Sequence, residues 1–308
     1  MEPFDPLRSM RFGVLAVAMS FILLEYLIGR LAHHDVHDVR ETAATFGVAA
    51  GHALIRGLEA AIVALPFMLA YEHRIFDLDA GTVAGAMLLF FAVDFIYYWH
   101  HRASHHIRWL WATHSVHHSP TRMNLTAALR LGWTANISGH FLFYLPLAFL
   151  GFHPFAIVAV LGANLAYQFF LHTELSPRFG LVEWILNTPA HHRVHHASDV
   201  ECLDKNFGGT LILFDRLFGT FTEAPDGKPL AYGLRGGSAS HHPLRIVFSE
   251  WSAMMGEARD VSTFRQKFAV LFGPVERRKA SAAALNRPKA GEPSKPSAKA
   301  DASQQTNE

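Results

Sequence analysis

The chain has 308 residues, 50% of them hydrophobic and 17% charged, with a formal net charge of +1. That balance suggests a membrane protein and carries no global signal for a nucleic-acid partner. The single cysteine, Cys202, excludes an internal disulfide and with it a disulfide-stapled secreted scaffold.

Crossing a hydrocarbon core of about 30 Å takes roughly 20 apolar residues in helix. Met1–Met10 contains Pro3 and Pro6, and no early small-residue cleavage site follows. The first apolar stretch is therefore expected to stay as an anchor rather than leave as a signal peptide. That stretch is Phe12–Ile28, interrupted only by Glu25. Val48–Tyr71 carries His52, Arg56 and Glu59 in its early half, and reads either as a second span or as a helix lying in the interface. Gly81–Trp99 is the strongest span, with Asp94 as its one charge. Ile137–Phe152 and Pro154–Leu171 are separated by His153 and read as a tight helical hairpin that enters and leaves on one side. Strand signals are weak, and the expected fold is all-α. The expected organisation is N-terminal membrane helices over 1–80, the functional domain over 81–260, and a C-terminal segment over 261–308. Glu276–Glu308, rich in Ala, Lys, Ser and Pro, is expected to be disordered.

The compositional anomaly is 21 histidines, many of them clustered. Span three ends in His100-His101-Arg102-Ala103-Ser104-His105, which places His101 and His105 on one helical face. Asp94, seven residues earlier, lies near that face and is expected to accept the outer ring N–H of a ligating histidine. His114, His117 and His118 form one H-x-x-H-H group, and His192, His195 and His196 form another. On a helix this spacing presents three imidazoles on one face. His172 ends span five on the same face as Gln168, and its place beside the clusters favours a ligand role. So many imidazoles exceed one ion and suit two, and imidazole suits Zn, Cu, Fe and Ni. There is no H-E-x-x-H, so metalloprotease chemistry lacks its general base.

The other histidines carry plainer readings. His33, His34 and His37 read as a solvated face, and His52, His73, His140 and His153 are isolated. His100, His106 and His191 point roughly 100° away from their neighbours on a helix. Asp204, Lys205, Asn206, Asp215 and Arg216 form a polar patch. It serves either as support behind the ligands and head-group recognition or as a hydrogen-bonded cap. Lys/Arg bias puts Arg102, Arg108, Arg122, Arg130, Arg178, Arg193, Lys205 and Arg216 on the cluster side, which is expected to be cytoplasmic.

Asp94-Phe-Ile-Tyr-Tyr-Trp-His-His-Arg-Ala-Ser-His105, Leu110-Trp-Ala-Thr-His-Ser-Val-His-His-Ser119 and Asn187-Thr-Pro-Ala-His-His-Arg-Val-His-His196 carry a resemblance. So do Asn124–Arg130, His172-Thr-Glu174, Leu203–Gly209 and Phe214–Phe221. Together they resemble the sterol desaturase/fatty acid hydroxylase superfamily, and most of all its alkylglycerol monooxygenase type with that type's bacterial relatives. The likeness runs from about Gly81 to Asp260. It implies a bundle of about four transmembrane helices beneath a cytosolic histidine-rich cap. It implies two Fe ions held by His101, His105, His114, His117, His118, His172, His192, His195 and His196. It further implies a membrane lipid substrate, O₂, and a redox donor that is a ferredoxin, a cytochrome or a pterin. Asp94, Gln168, Asp204 and Asn206 are the expected supporting catalytic residues. The chain departs from the alkylglycerol type at His106, where that type has Glu. Relatives among the fatty acid hydroxylases place a further His near Gln168.

The expectation is an integral-membrane di-iron enzyme that hydroxylates a lipid C–H bond, sited in a bacterial inner membrane. A desaturase with the same centre is the alternative. A histidine-rich metal transporter would place ligands in mid-membrane rather than at span ends. A zinc-dependent lipid hydrolase would act without O₂.

Overall fold

The computed structural model describes residues 6–34, 36–225, 228–235 and 239–275, so the expectation for 276–308 lies outside the described residues. Three helices are long and apolar enough to cross a membrane: α1 (Pro6–Leu31), α2 (Val39–Glu72) and α3 (Val83–His106). α2 is continuous over 34 residues, about 51 Å of helix. By length and composition this segment is a candidate span. Its start is fixed by Asp38, whose side chain accepts from Glu41 N at 2.8 Å. α3 is capped in the same way by Thr82, which accepts from Gly85 N at 3.1 Å.

α4 (Arg108–His114) follows α3 after Ile107. The hairpin then begins with a 3₁₀ turn over His140–Tyr144 leading into α5 (Leu145–Leu150), and returns through α6 (Pro154–Phe169). The first arm is the 11-residue apolar helix His140–Leu150, about 16 Å, which is too short to cross. The expected span Ile137–Phe152 is thus a shorter apolar helix, below the length of a crossing. Gly151 reverses the chain with φ at 128°, a region that L side chains rarely adopt. Pro154 then opens α6 at a position where its missing N–H costs nothing.

The core between these helices is Phe67, Leu89, Val93, Tyr144, Leu147, Phe152 and Ile157, joining α2, α3, α5 and α6. The outward faces stay apolar: Leu15, Leu23, Leu54, Leu65, Phe91 and Val158 are all exposed. At about 25 cal/mol per Å², apolar area on this scale would be costly in water and is at ease in lipid.

The cap contains α7 (Pro189–His196), α8 (Leu213–Phe218), α9 (Pro243–Asp260) and α10 (Phe264–Phe272). Its own small core is Val194, Ala197 and Cys202. α9 docks Ile246 and Val247 on Ala44 and Val48 of α2 and on Val116. Arg108 clamps it with a two-pronged pair to Glu257 (2.5 and 2.7 Å). α10 lies within the C-terminal segment 261–308. It is a regular helix, started by a reciprocal cap between Thr263 and Gln266. Among the described residues strand pairing is limited to isolated bridges, and the fold is all-helical.

Candidate metal centre

The nine histidines singled out from the sequence come together where α3, α4, α6 and α7 end. They fall into two groups: His101, His105, His114, His118 and His195, and then His117, His172, His192 and His196. Within each group one ring nitrogen per residue lies within 4.8 Å of all the others.

This partition corrects the expectation that each H-x-x-H-H run presents one face. His114 and His118 join the first group while His117 joins the second. His192 and His196 join the second while His195 joins the first. The physical reason is rotation. Residues four apart stay on one side of a helix, and a residue one step away turns by about 100°. In addition α4 ends at His114, and 115–118 continue as turns. Adjacent histidines thus serve different groups, and the stacked pair His118–His196 (4.4 Å) joins them.

The ring nitrogens are set for a cation. His101 Nε2 is 3.0 Å from His114 Nε2, and His118 Nε2 lies 3.1 to 3.2 Å from those of His105, His114 and His195. In the second group His172 Nε2 is 3.1 Å from that of His117 and 3.0 Å from that of His192. His101, His172 and His195 each donate Nδ1–H to a carbonyl, of Phe207, Gln168 and Lys205 respectively, all at 2.8 Å. In the neutral rings this leaves Nε2 as a lone pair aimed at the centre. Lone pairs facing one another repel unless a cation lies between them. A metal–nitrogen bond of about 2.1 Å places neighbouring ligands at right angles about 3.0 Å apart, so the residues present fit a metal ion in each group.

The electrostatics agree. Burial, then the nearby imidazoles, hold His114, His118, His192 and His196 well below the usual histidine range. His172 is pushed down to about 4 by burial. Neutral imidazole is the ligating form.

The supporting residues act differently from the expectation. Asp94 accepts no ring N–H. It takes Asn164 Nδ2 (2.6 Å), Thr210 N (2.8 Å) and Leu211 N (3.0 Å), and so ties α3 to α6 and to the 207–211 segment. A carboxylate there bonds backbone because Gly209 lets the chain come close: a Cβ at Gly209 would lie 2.7 Å from Asn164 and 2.9 Å from Asp94. Gln168 reaches His172 through its carbonyl, while its side chain accepts from Tyr97 (2.7 Å) and donates to Asn164 (2.5 Å). Asp204 faces His105 Nδ1 at 3.4 Å. The side chain of Asn206 bonds only main chain, at His191 O, Thr222 O and Thr222 N. It braces the cap and touches no ring of either group. Asp204 and Asn206 both have left-handed backbone, at φ 58° and 55°. That conformation turns the carbonyls of Lys205 and Phe207 toward His195 and His101.

His100, His106 and His191 lie outside both groups. His100 pairs with His140 at 2.7 Å, so His140 is not isolated. His37 is nearly buried against Glu25 at 3.1 Å rather than solvated. Sequence reasoning missed Phe207, whose carbonyl holds His101 and whose ring packs on His101, His105 and His195. It also missed Asp215 as the anchor of that turn, accepting from Phe207 N, Gly208 N and Thr220. The signal was the diglycine at 208–209, which marks a close backbone approach.

Fold and site together define an all-helical protein with three candidate membrane spans, whose helix ends and cap enclose two histidine groups that could each hold a metal ion. Residues 86–220, which include all nine histidines, match the family model described as fatty acid hydroxylase. This match supports the resemblance to the fatty acid hydroxylase family of the sterol desaturase superfamily. It is 38% identical over 220 residues to the alkylglycerol monooxygenase of Xenopus tropicalis, covering 71% of this chain and 48% of the relative. With the human alkylglycerol monooxygenase it is 41% identical over 205 residues, 66% of this chain and 45% of the relative. It is also similar to the ornithine lipid hydroxylase OlsE of Rhizobium tropici, 29% identical over 205 residues, 65% and 61% of the two chains. The chain spans about half the length of the alkylglycerol monooxygenases it matches. No solved structure matches.

Proposed function

We propose that the two histidine groups hold two iron ions and that the protein hydroxylates a C–H bond of a membrane lipid with O₂. The observation that carries this reading is the convergence of nine ring nitrogens into two buried groups with the spacing of a metal's ligands. Bound iron would supply the redox chemistry that activates O₂ for insertion of one oxygen into a C–H bond. The balance is lipid C–H plus O₂, two electrons and two protons to lipid C–OH plus water, with the electrons from an external ferredoxin, cytochrome or pterin.

The chain's own residues bind, orient and exclude water. The carbonyls of Phe207, Gln168 and Lys205 fix three imidazoles as Nε2 ligands, and Asp204 steadies His105. Asp94 positions the segment that carries the Phe207 carbonyl. The apolar flanks of α3 and α6 offer the substrate chain a path from the bilayer. Relatives named for alkylglycerol and ornithine lipid point to a substrate with a polar head and a long alkyl or acyl chain. The Lys/Arg bias favours the cytoplasmic face, in a bacterial inner membrane.

Iron content of two per chain, together with ¹⁸O from ¹⁸O₂ appearing in a single lipid product, tests the reading. Lipid profiles of cells with wild-type chain are compared with those of cells carrying His117→Ala. Iron-replete protein that consumes no O₂ with any lipid and a competent donor would sink it. Product formed without O₂ would point instead to hydrolysis.

A further inference from the structure

The face of α4 turned away from the imidazoles borders a cavity that the metal centre does not use. Trp109 and Trp111 are two residues, about 200°, apart on α4. Trp111 packs on His105 and His118, with ring centroids at 5.2 and 5.7 Å. Trp109 meets Trp251 of α9 edge-on at 4.9 Å and stacks on Phe272 of α10 at 5.5 Å. Beside Trp109, between α9 and the 134–138 segment, opens a cavity of about 590 Å³, a size typical of small-molecule sites. Trp109, Trp251, Phe248, Met255 and Ile137 give it apolar walls, and Arg259 stands at it.

Three observations say what fits there. Ile137, 58% exposed, lies three residues before the apolar helix His140–Leu150, so the cavity sits beside the start of the apolar hairpin. α10 alongside keeps Phe264, Phe268 and Phe272 exposed on one ridge and buries no residue of its own, the pattern of a helix lying on a lipid surface. Arg259 has no ion pair among the described residues, and Glu257, two residues earlier on α9, pairs with Arg108. Residues 276–308 contain Leu285 as their one large aliphatic side chain, so that segment offers little to fill apolar walls.

We propose that this cavity seats a chain of an anionic phospholipid from the surrounding bilayer, with its net negative headgroup drawn to Arg259. The lipid would bridge α9 to α4, the helix that ends in His114, and would be distinct from the substrate.

Gly256 supplies a test that preserves the fold. It lines the cavity, and a Cβ placed on it meets nothing within 4 Å. Gly256→Leu therefore fills the space while favouring helix. The full chain is reconstituted in nanodiscs of equal phosphatidylcholine and phosphatidylglycerol, released into mild detergent, and weighed by native mass spectrometry. Wild type is expected to retain one phosphatidylglycerol. Gly256→Leu is expected to lower that retention about tenfold or more by removing the place of a few methylenes. Arg259→Gln is expected to lower the phosphatidylglycerol-to-phosphatidylcholine ratio about fivefold. Thermal unfolding at the wild-type midpoint verifies that both variants fold. Equal lipid retention by Gly256→Leu, or an unchanged headgroup ratio in Arg259→Gln, overturns the proposal. Excess inorganic phosphate is expected to leave the lipid in place; displacement by phosphate alone would reveal a free-anion site and overturn it as well.

Discussion

The two histidine groups differ in what stands behind them. In the group of five, His101 and His195 donate to carbonyls at 2.8 Å and His105 faces Asp204 at 3.4 Å. In the group of four, His172 donates to Gln168 O at 2.8 Å, but Nδ1 of the fully buried His192 has no hydrogen-bond partner. A buried donor or acceptor without a partner costs about 1–3 kcal/mol and leaves its ring less firmly oriented. The first group rests on a turn stiffened by left-handed backbone at Asp204 and Asn206, and the second hangs between the end of α6 and α7. The two groups therefore differ in support as well as in number, and the group of four is expected to release its metal first.

The sharpest way to break this comparison is His118→Ala. The Nε2 of His118 lies 3.1 to 3.2 Å from three other ring nitrogens and is the hub of the first group. The variant is expected to lose one ion of two and all lipid product, while His192→Ala loses the other ion. Iron per chain decides it, and two ions retained in His118→Ala would dissolve the division into five and four. Asp94→Ala comes next. It strips the acceptor from Asn164, Thr210 N and Leu211 N in a fully buried place, a loss of about 3 kcal/mol or more. Thermal unfolding should show it, and iron should leave the first group because the Phe207 carbonyl shifts. Asp204→Asn is smaller and confined to the same group: metal affinity there should fall about 10- to 100-fold, measured by chelator competition, with the second group unchanged.

The sequence made the all-helical membrane class and the nine clustered histidines readable, because apolar length and residue type are local properties. The sorting of His117 from His118 and of His195 from His196 was not readable. It depends on α4 ending at His114 and on the rotation between neighbours, both settled by tertiary packing. The partners of Asp94 were hidden for a related reason. Proximity to His101 along one helix suggested a ring, whereas the chain returns 116 residues later to present Thr210 N. The N-terminal anchors were also understated. Glu25 reaches Leu125 N at 2.8 Å and Glu41 reaches Thr121 at 2.6 Å, so α1 and α2 hold the segment that follows the second histidine cluster.

Acid sharpens the comparison further in metal-free protein. His172 sits at about 4, lowered by burial, and His192 and His196 are lowered for the same reason, against an unfolded value of about 6.5. Below pH 6.5 the unfolded chain takes up protons that the folded chain refuses, so stability falls as pH drops. Each such imidazole costs about 1.4 kcal/mol per pH unit until its folded value is reached. Denaturant midpoints followed from pH 7 to pH 5 should fall steadily, and the slope should shrink in His172→Gln. The smallest effect is expected at His106, beside His105 in sequence. Its ring is exposed, and Nδ1 donates back to Arg102 O at 2.8 Å, so it contributes to neither group. His106→Gln should shift stability by no more than about 0.5 kcal/mol. It should also leave two irons bound, since rotation along the helix, rather than closeness in sequence, decides which imidazoles serve. Loss of an ion from His106→Gln would show that the groups rearrange on metal binding.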